Sequence, residues 1–167
     1  MKTQVMLDLE TLGNRPGSVI VAIGAVKFSG GEITSSFYER VDPQSCISLG
    51  LRMDCSTVMW WLKQESAARL EITKPGKHLS EVLQAFTEWL ADPDAEIWGN
   101  GAAFDNVLLS DAYDRAQLSR PWSFWNDRCY RTLKSLRPDV PMPRTGTHHN
   151  ALDDAKSQAK HLMALLG

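Results

Sequence analysis

The chain has 167 residues, of which 43% are hydrophobic and 23% are charged, and its formal net charge at pH 7 is −2. This size and composition are typical of one globular domain over residues 1–167, and the charge excludes a protein that binds nucleic acid through an overall positive charge. No apolar run reaches membrane-spanning length, no secretory signal pattern opens the chain, and the three cysteines lack metal-ligand spacing. We therefore expect a cytoplasmic protein with reduced thiols and no membrane partner.

The first forty residues predict three antiparallel strands. Residues 4–10, QVMLDLE, alternate between apolar and polar side chains, and residues 19–29 are almost continuously apolar. Two glycines then lead into residues 32–41, which read as a third strand. Because short turns join the three strands, we expect an antiparallel meander.

The rest of the chain predicts helices interspersed with two more strands. Apolar residues at helical spacing and turn signals place the boundaries. The expected helices cover 57–70 (with an N-cap at Ser56), 80–91, 104–118, 131–136 and 150–166, and the expected strands lie at 95–98 and within 121–130. This order predicts an α/β fold with a mixed five-stranded sheet flanked by helices.

Three acidic residues lie in strands or at their ends. Asp8 and Glu10 share one face of the first strand, because strand side chains alternate with a period of two. Asp105 follows a strand and the Gly-rich turn GNG, in the region where α/β sheets commonly bind ligands. The structural alternatives are a solvated pair on a strand for the first two and a helix N-cap for Asp105.

A helical wheel selects a fourth carboxylate in the last helix. Asp153 lies about 150° from the middle of the apolar stripe and is expected in solvent, whereas Asp154 lies about 110° away, at the edge of the stripe. An edge position can bring Asp154 against the acidic residues of the first strand.

Four converging carboxylates would repel one another without a cation. Hard oxygen ligands in this number suit Mg²⁺ or Mn²⁺, and two such ions form the clamp used for in-line attack at phosphorus. A nearby histidine could take the proton from the attacking water. The wheel does not choose between His148 and His149, because both precede the helix.

Three segments together resemble the exonuclease motifs of the DnaQ-like, or DEDDh, 3′–5′ exonucleases: DLET at 8–11, GNGAAFDN at 99–106 and HNALDDA at 149–155. The resemblance implies a ribonuclease H-like fold and removal of 3′-terminal nucleotides of single-stranded nucleic acid as 5′-monophosphates. It assigns two Mg²⁺ or Mn²⁺ ions to Asp8, Glu10, Asp105 and Asp154, and it selects His149 as the general base. Stand-alone members of this superfamily are frequently homodimers, so we expect a homodimer.

The segment TVMWWLKQ at 57–64 is similar to a branch of small stand-alone exonucleases of phages and bacteria, which slightly favours RNA over DNA. A helix cannot bury both Trp60 and Trp61 on one face, so one of them could stack on a base. The alternative is that both pack at different edges of the core. The resemblance adds further expected substrate contacts at Thr11, Leu12, Asn100 and Phe104.

Positive charge is concentrated in one stretch. Residues 120–144 hold six basic and two acidic residues, and four of the basic ones recur at every third position from Arg128 to Arg137. This stripe is either a solvated helix face or a surface that contacts phosphates.

The leading hypothesis is a metal-dependent 3′–5′ exonuclease with one exonuclease domain over residues 1–167. A nucleic-acid-binding module that has lost catalysis is one alternative, although all four acids and the histidine are present. A hydrolase of small nucleotides is another, although the basic stretch and the paired tryptophans favour a polymer.

Overall fold

The computed structural model describes residues 2–167, which form a mixed sheet of five strands flanked by seven α-helices. The strand order is β3-β2-β1-β4-β5. The antiparallel pairs are β1–β2 and β2–β3, and the parallel pairs are β1–β4 and β4–β5. The expected α/β fold, with a meander and two parallel strands, is confirmed. The strands are β1 Gln4–Thr11, β2 Ile20–Ser29, β3 Glu32–Arg40, β4 Glu96–Gly99 and β5 Asp127–Cys129.

The helices cover both faces of the sheet. They are α1 Pro43–Ser48, α2 Cys55–Leu62, α3 Ser66–Thr73, α4 Leu79–Leu90, α5 Asp105–Arg115, α6 Tyr130–Leu136 and α7 Ala151–Leu166, and a single 3-10 turn spans Phe124–Asn126. No helix within residues 2–167 is long and apolar enough to cross a membrane.

Side chains of the central strand β1 pack into two separate hydrophobic cores. Leu7 and Leu9 join the larger core, which also contains buried residues of α4 and α5, whereas Met6 joins the smaller core formed with α6 and α7. Asp8 and Glu10 follow Met6 on the same face, because side chains alternate along a strand. The two acidic side chains therefore lie on the side of the sheet that α7 covers.

A glycine in β2 lets α7 approach the acidic part of β1. Gly24 pairs with Asp8 across the β1–β2 ladder. A Cβ at this position would collide with the backbone of Ala151 and Leu152, so the first turn of α7 lies directly on the strand. Asp154, in that same first turn, is thereby carried toward Asp8. Only glycine permits this packing without a shift of the helix.

The helix expected over 57–70 is wrong as a single element, because the chain forms α2 and α3 with a break at residues 63–65. Two side-chain donors satisfy the last carbonyl groups of α2: Gln64 donates to the carbonyl of Trp60 at 3.0 Å and Arg69 to that of Leu62 at 3.1 Å. The carbonyl of Trp60 also accepts from the backbone amide of Lys63 at 3.1 Å, a bond that closes the last turn of the helix.

Other boundaries also differ from expectation. Asp54, rather than Ser56, is the N-cap of α2, and its carboxylate accepts from the amide of Ser56 at 3.3 Å. Helix α1 was not expected, although Asp42 followed by Pro43 is a typical helix start. The last strand is only three residues long, because the 3-10 turn occupies the residues before it.

Candidate active site

A cleft of about 340 Å³ opens where β1 and β4 end. Because these strands are parallel, their carboxyl ends meet at the same edge of the sheet. Parts of α2, α6, α7 and the loop before α7 complete the walls. The lining includes Asp8, Glu10, Thr11, Trp60, Trp61, Asn100, Phe104, Lys134, Met142, Arg144, His148, His149, Asp154 and Gln158.

Three carboxylates meet at the floor of the cleft. Asp8, Glu10 and Asp154 each offer an oxygen, and these oxygens lie within 4.8 Å of one another. Glu10 is only 8% exposed. The structure thus brings together three of the four expected metal ligands, from the central strand and from α7.

The fourth acidic residue, Asp105, lies beside this group and is held differently. It is the first residue of α5 and is almost fully buried. One carboxylate oxygen accepts from the amide of Leu9 at 3.1 Å, and the other accepts from the amide of Asn100 at 2.9 Å. The N-cap position belongs to Phe104, so the alternative of Asp105 as a simple N-cap does not hold. Asp105 instead ties β1 to the turn after β4.

Burial raises the pKa values of Asp8, Glu10 and Asp105, and nearby negative charges add to it for Asp8 and Glu10. Burial is the largest cause for Asp8, whose pKa lies well above its ordinary value, and the negative charges of Asp105, Glu10 and Asp154 raise it further. Burial, with Asp154 and Asp105, raises the pKa of Glu10 to about 8. Burial raises the pKa of Asp105 to about 7 against the opposing hydrogen bonds from Leu9 and Asn100. Such a site favours a bound cation, which would stabilise all the ionised forms at once.

Gln158 was not singled out from the sequence, yet it joins this cluster from α7. Its side-chain amide donates to an oxygen of Asp8 at 2.9 Å, and the residue is 4% exposed. Its own side-chain oxygen is buried and has no hydrogen-bond partner within residues 2–167. An unpaired buried oxygen is costly, and a cation or its hydration shell would satisfy it. The signal in the sequence was its position four residues after Asp154, on the same helix face.

The carboxylates and this unpaired oxygen together fit a divalent cation. Mg²⁺ and Mn²⁺ bind through oxygen ligands, and the floor of the cleft offers these from two elements, β1 and α7.

His149 is held in an unusual backbone conformation next to the acidic group. Its φ of 64° lies in the left-handed region, and its amide donates to Asp154 at 3.0 Å. Its ring packs edge-on against Trp60, with 5.0 Å between centroids, and stacks on His148 at 3.9 Å. Burial lowers the pKa of His149, and the neighbouring His148 lowers it further, so the neutral ring is favoured at pH 7.

His148 also approaches the acidic group. Its Nδ1 lies 3.5 Å from an oxygen of Asp154, but its side chain is 59% exposed. Arg144 is a more distant neighbour, with 4.0 Å between its guanidinium and the same carboxylate. The geometry therefore places both histidines near Asp154, and it buries only His149 against the tryptophans.

One of the two tryptophans is buried and the other is partly exposed, as one of the two interpretations of the sequence predicted. Trp61 is 3% exposed, and its indole N–H donates to the carbonyl of Thr11 at 2.9 Å. Trp60 is 44% exposed and lines the cleft. Trp60 is therefore the one available to a base.

Leu12 is the expected substrate contact that the structure does not bring to the cleft. Leu12 lies one residue beyond the end of β1, and its side chain is absent from the cleft walls because it packs into the larger core. Asp153 also differs from expectation: its carboxylate accepts from the amide of Thr147 at 2.9 Å and so holds the loop that carries His149, rather than facing solvent.

Comparison with known proteins identifies the family. A family model described as the 3′-5′ exoribonuclease Rv2179c-like domain matches residues 3–166. This chain belongs to that family of 3′–5′ exonucleases. Among curated relatives, the PolC-type DNA polymerase III of Clostridium perfringens (strain 13 / Type A) is 26% identical over 175 residues, covering 95% of this chain. An exodeoxyribonuclease of Enterobacteria phage T4 is 24% identical over 155 residues, covering 76% of this chain and 68% of the relative. The chain spans only 11% of the length of the polymerase.

Solved structures confirm the ribonuclease H-like exonuclease fold. E. coli exonuclease I in complex with a dT13 oligonucleotide superposes with a TM-score of 0.71 at 14% identity, over 99% of this chain and 41% of that one. The nuclease domain of 3'hExo, a DEDDh family member bound to rAMP, gives 0.67 at 15% identity, over 99% of this chain and 92% of that one. Members of the DEDDh family depend on divalent metal ions.

The raised pKa values predict how the metal-free protein responds to pH. Between the ordinary value of 4.5 for Glu10 and its raised value of about 8, the folded state binds more protons than the unfolded state, so the free energy of unfolding falls as pH rises. From about pH 6 to about pH 9 the melting midpoint in EDTA should fall by roughly 2–8 °C, the shift that 1–2 kcal/mol produces in a chain of this size. Scanning calorimetry measures it, and excess Mg²⁺ or Mn²⁺ should remove most of the decline.

Glu10→Gln should reduce the fall of the melting midpoint with rising pH, because the substitution removes one of the carboxylates that repel one another. Glu88→Gln, on the exposed side of α4, is the matched control and should behave like the unmodified protein. A wild-type midpoint that rises steadily over the same range would contradict the assignment of a proton-holding carboxylate cluster.

Proposed function

We propose that this chain is a metal-dependent 3′–5′ exonuclease of single-stranded nucleic acid, and that residues 1–167 act as one exonuclease domain. The observation that carries the proposal is the meeting of Asp8, Glu10 and Asp154 at the floor of an open cleft, beside His149. Membership of a 3′–5′ exoribonuclease domain family gives the direction of attack on the strand.

In this proposal Asp8, Glu10, Asp105 and Asp154 hold two Mg²⁺ or Mn²⁺ ions. Bound ions of this kind supply Lewis-acid stabilisation at the phosphorus and an activated water. Asp105 already has both oxygens bonded to backbone amides, which fixes its orientation and leaves each oxygen a further lone pair. Gln158 orients Asp8 through its amide. The released product is a nucleoside 5′-monophosphate.

His149 acts as the general base in this scheme. A base must be neutral at the working pH, and burial of the ring favours that state. Within residues 2–167 no hydrogen bond engages either nitrogen of the ring, so both are available to a water. Trp60 packs against the ring from one side and holds it at the rim of the acidic group.

RNA is the preferred strand in this proposal. The matching family model is named for an exoribonuclease, and the 3'hExo structure holds rAMP. The phage T4 relative is named an exodeoxyribonuclease, and the exonuclease I structure holds a DNA oligonucleotide, so DNA is the second candidate. The exposed ring of Trp60 stacks on the 3′-terminal base, a contact that tolerates both sugars.

The test is a time course on 5′-labelled single-stranded RNA and DNA of one sequence, with Mg²⁺, with Mn²⁺ and with EDTA. We expect a ladder that shortens from the 3′ end, faster on RNA, and no cleavage in EDTA. Asp154→Asn should lower the rate by at least about 100-fold, the scale of losing one preorganised electrostatic contact with the transition state.

Asp153→Asn is the matched control in this assay. It removes the same charge from the neighbouring position and keeps an acceptor for the amide of Thr147. Equal losses in the two variants would contradict the placement of Asp154 at the site. If RNA and DNA stay intact in every lane while free mononucleotides are hydrolysed, the protein is a small-nucleotide hydrolase and not an exonuclease. If it binds strands but hydrolyses nothing, it is a binding module.

The adjacent histidines supply a second comparison. His149→Ala should lower kcat by about 10²–10⁴-fold, the usual contribution of a general base, with little change in KM. His148→Ala should lower kcat by less than about 10-fold, because its exposed ring is not held against the tryptophans. A larger loss for His148→Ala than for His149→Ala would reassign the base.

A further inference from the structure

The four basic residues of the stripe at 128–137 lie in two different surroundings. Arg128 turns away from the cleft and pairs with Glu96 at 2.6 Å. Arg131 donates to the carbonyl of Asn100 at 2.6 Å, next to the acidic group. Lys134 lies in the wall of the cleft itself, and Arg137 follows at the end of α6. Three of the four positive charges therefore continue from the cleft along α6.

These residues border a second depression, of about 470 Å³, which we call the α6 groove. One wall consists of Arg131, Lys134 and Arg137, and the other is the loop 138–142. Lys134 and Met142 line both the groove and the cleft, so the groove continues directly from the acidic site. The basic helix α6 forms one side of the groove, and a proline-rich, largely uncharged loop forms the other.

The loop wall is fixed rather than loosely placed. His161 of α7 is almost fully buried and makes a hydrogen bond on each ring nitrogen, to the hydroxyl of Tyr130 at 2.6 Å and to the carbonyl of Val140 at 2.8 Å. Pro138 and Pro141 restrict the backbone on either side of Val140. The groove is therefore formed before any ligand arrives, which lowers the entropic cost of binding.

The positive charges of the groove are largely unpaired. Within residues 2–167, Arg131 and Lys134 have no carboxylate within 4.0 Å, and Arg137 pairs only with the exposed Asp139 at 3.4 Å. An exposed pair of this kind contributes little and is easily exchanged. Lys and Arg side chains in this arrangement match the phosphates of a nucleic-acid backbone.

We propose that the α6 groove holds the phosphodiester backbone of a single strand on the 5′ side of the cleaved nucleotide, with Lys134 and Arg137 on its phosphates. The inference rests on the proposed function, because it takes the 3′ end of the strand to lie at the acidic group. It makes α6 a binding element for strands longer than the few nucleotides that the cleft can hold.

A second arginine-bearing depression is the competing route. It contains Arg15, Arg52 and Arg115, and of its lining residues Asn14 alone also lines the cleft. Its positive charge is partly cancelled, because Asp54 lies in its wall and Arg115 lies 3.7 Å from Asp111. The α6 groove has the wider connection to the cleft and the larger positive charge, and it is therefore favoured.

The test measures strand binding separately from cleavage. Full-length protein with Asp154→Asn, in Mg²⁺, is titrated into a fluorescently labelled RNA strand of about 12 nucleotides, and anisotropy gives Kd over a range of salt concentrations. Loss of one phosphate contact should reduce the slope of log Kd against log salt by about 0.7. Arg137→Gln should therefore reduce the slope by that amount, and Lys134→Gln with Arg137→Gln by about 1.4, so that a fourfold rise in salt weakens the double variant about 7-fold less.

Two control variants decide between the outcomes. Lys160→Gln removes an exposed positive charge on α7, away from the groove, and should leave the slope unchanged. Arg52→Gln tests the competing depression and should also leave it unchanged. The inference is overturned if Arg137→Gln matches Lys160→Gln, if Arg52→Gln alone reduces the slope, or if the strand does not bind. If the slopes change as expected but protein that keeps Asp154 does not cleave strands from the 3′ end, the proposed function is overturned instead.

In protein that keeps Asp154, the dependence of cleavage on the length of the nucleic-acid strand gives a second test. Arg137→Gln should lower the ratio of kcat/KM for the long strand to kcat/KM for a trinucleotide, because only the long strand reaches the groove. A purely structural role of Arg137 would lower both values together and leave their ratio unchanged.

Discussion

Electrostatic repulsion among closely spaced carboxylates is the constraint on which this site depends. Strand alternation places Asp8 and Glu10 on one face of β1, and the close packing of α7 on Gly24 adds Asp154 to them. Glu10 is nearly buried, so water screens its charge only weakly. The folded protein therefore favours bound protons or cations here, and both couple the stability of the fold to the occupant of the site.

The surrounding structure fixes the acidic groups from behind and leaves their front open. Backbone amides hold Asp105, and the amide of Gln158 holds Asp8, so neither carboxylate can rotate away from the repulsion. His149 is held against Trp60 and by its own amide bond to Asp154. Orientation by such contacts is what a metal-dependent site requires, because ligands placed in advance lose little freedom on binding. The cleft and the α6 groove are thus two parts of one surface, negative at the floor and positive along α6.

Much of the fold and part of the site were predictable from local pattern. Strand alternation and helical spacing act within a few residues, so the meander and the edge position of Asp154 followed from the sequence. Features that depend on distant partners did not. Gln158 is an ordinary polar residue of a helix until β1 brings Asp8 to it, and Leu12 belongs to the core because of packing across the sheet. At the break after α2, the long side chain of Arg69 bonds back to a carbonyl seven residues earlier.

The proposed divalent cation site is the carboxylate cluster at the floor of the cleft. Anomalous diffraction from crystals of the protein soaked in Mn²⁺ tests it most directly, because manganese positions can be located independently of the protein atoms. We expect strong peaks between Asp8, Glu10 and Asp154, with a coordinating oxygen from each of these three residues. Anomalous density confined to the exposed His148, or no peak in the cleft of a protein that still cleaves strands, would contradict it.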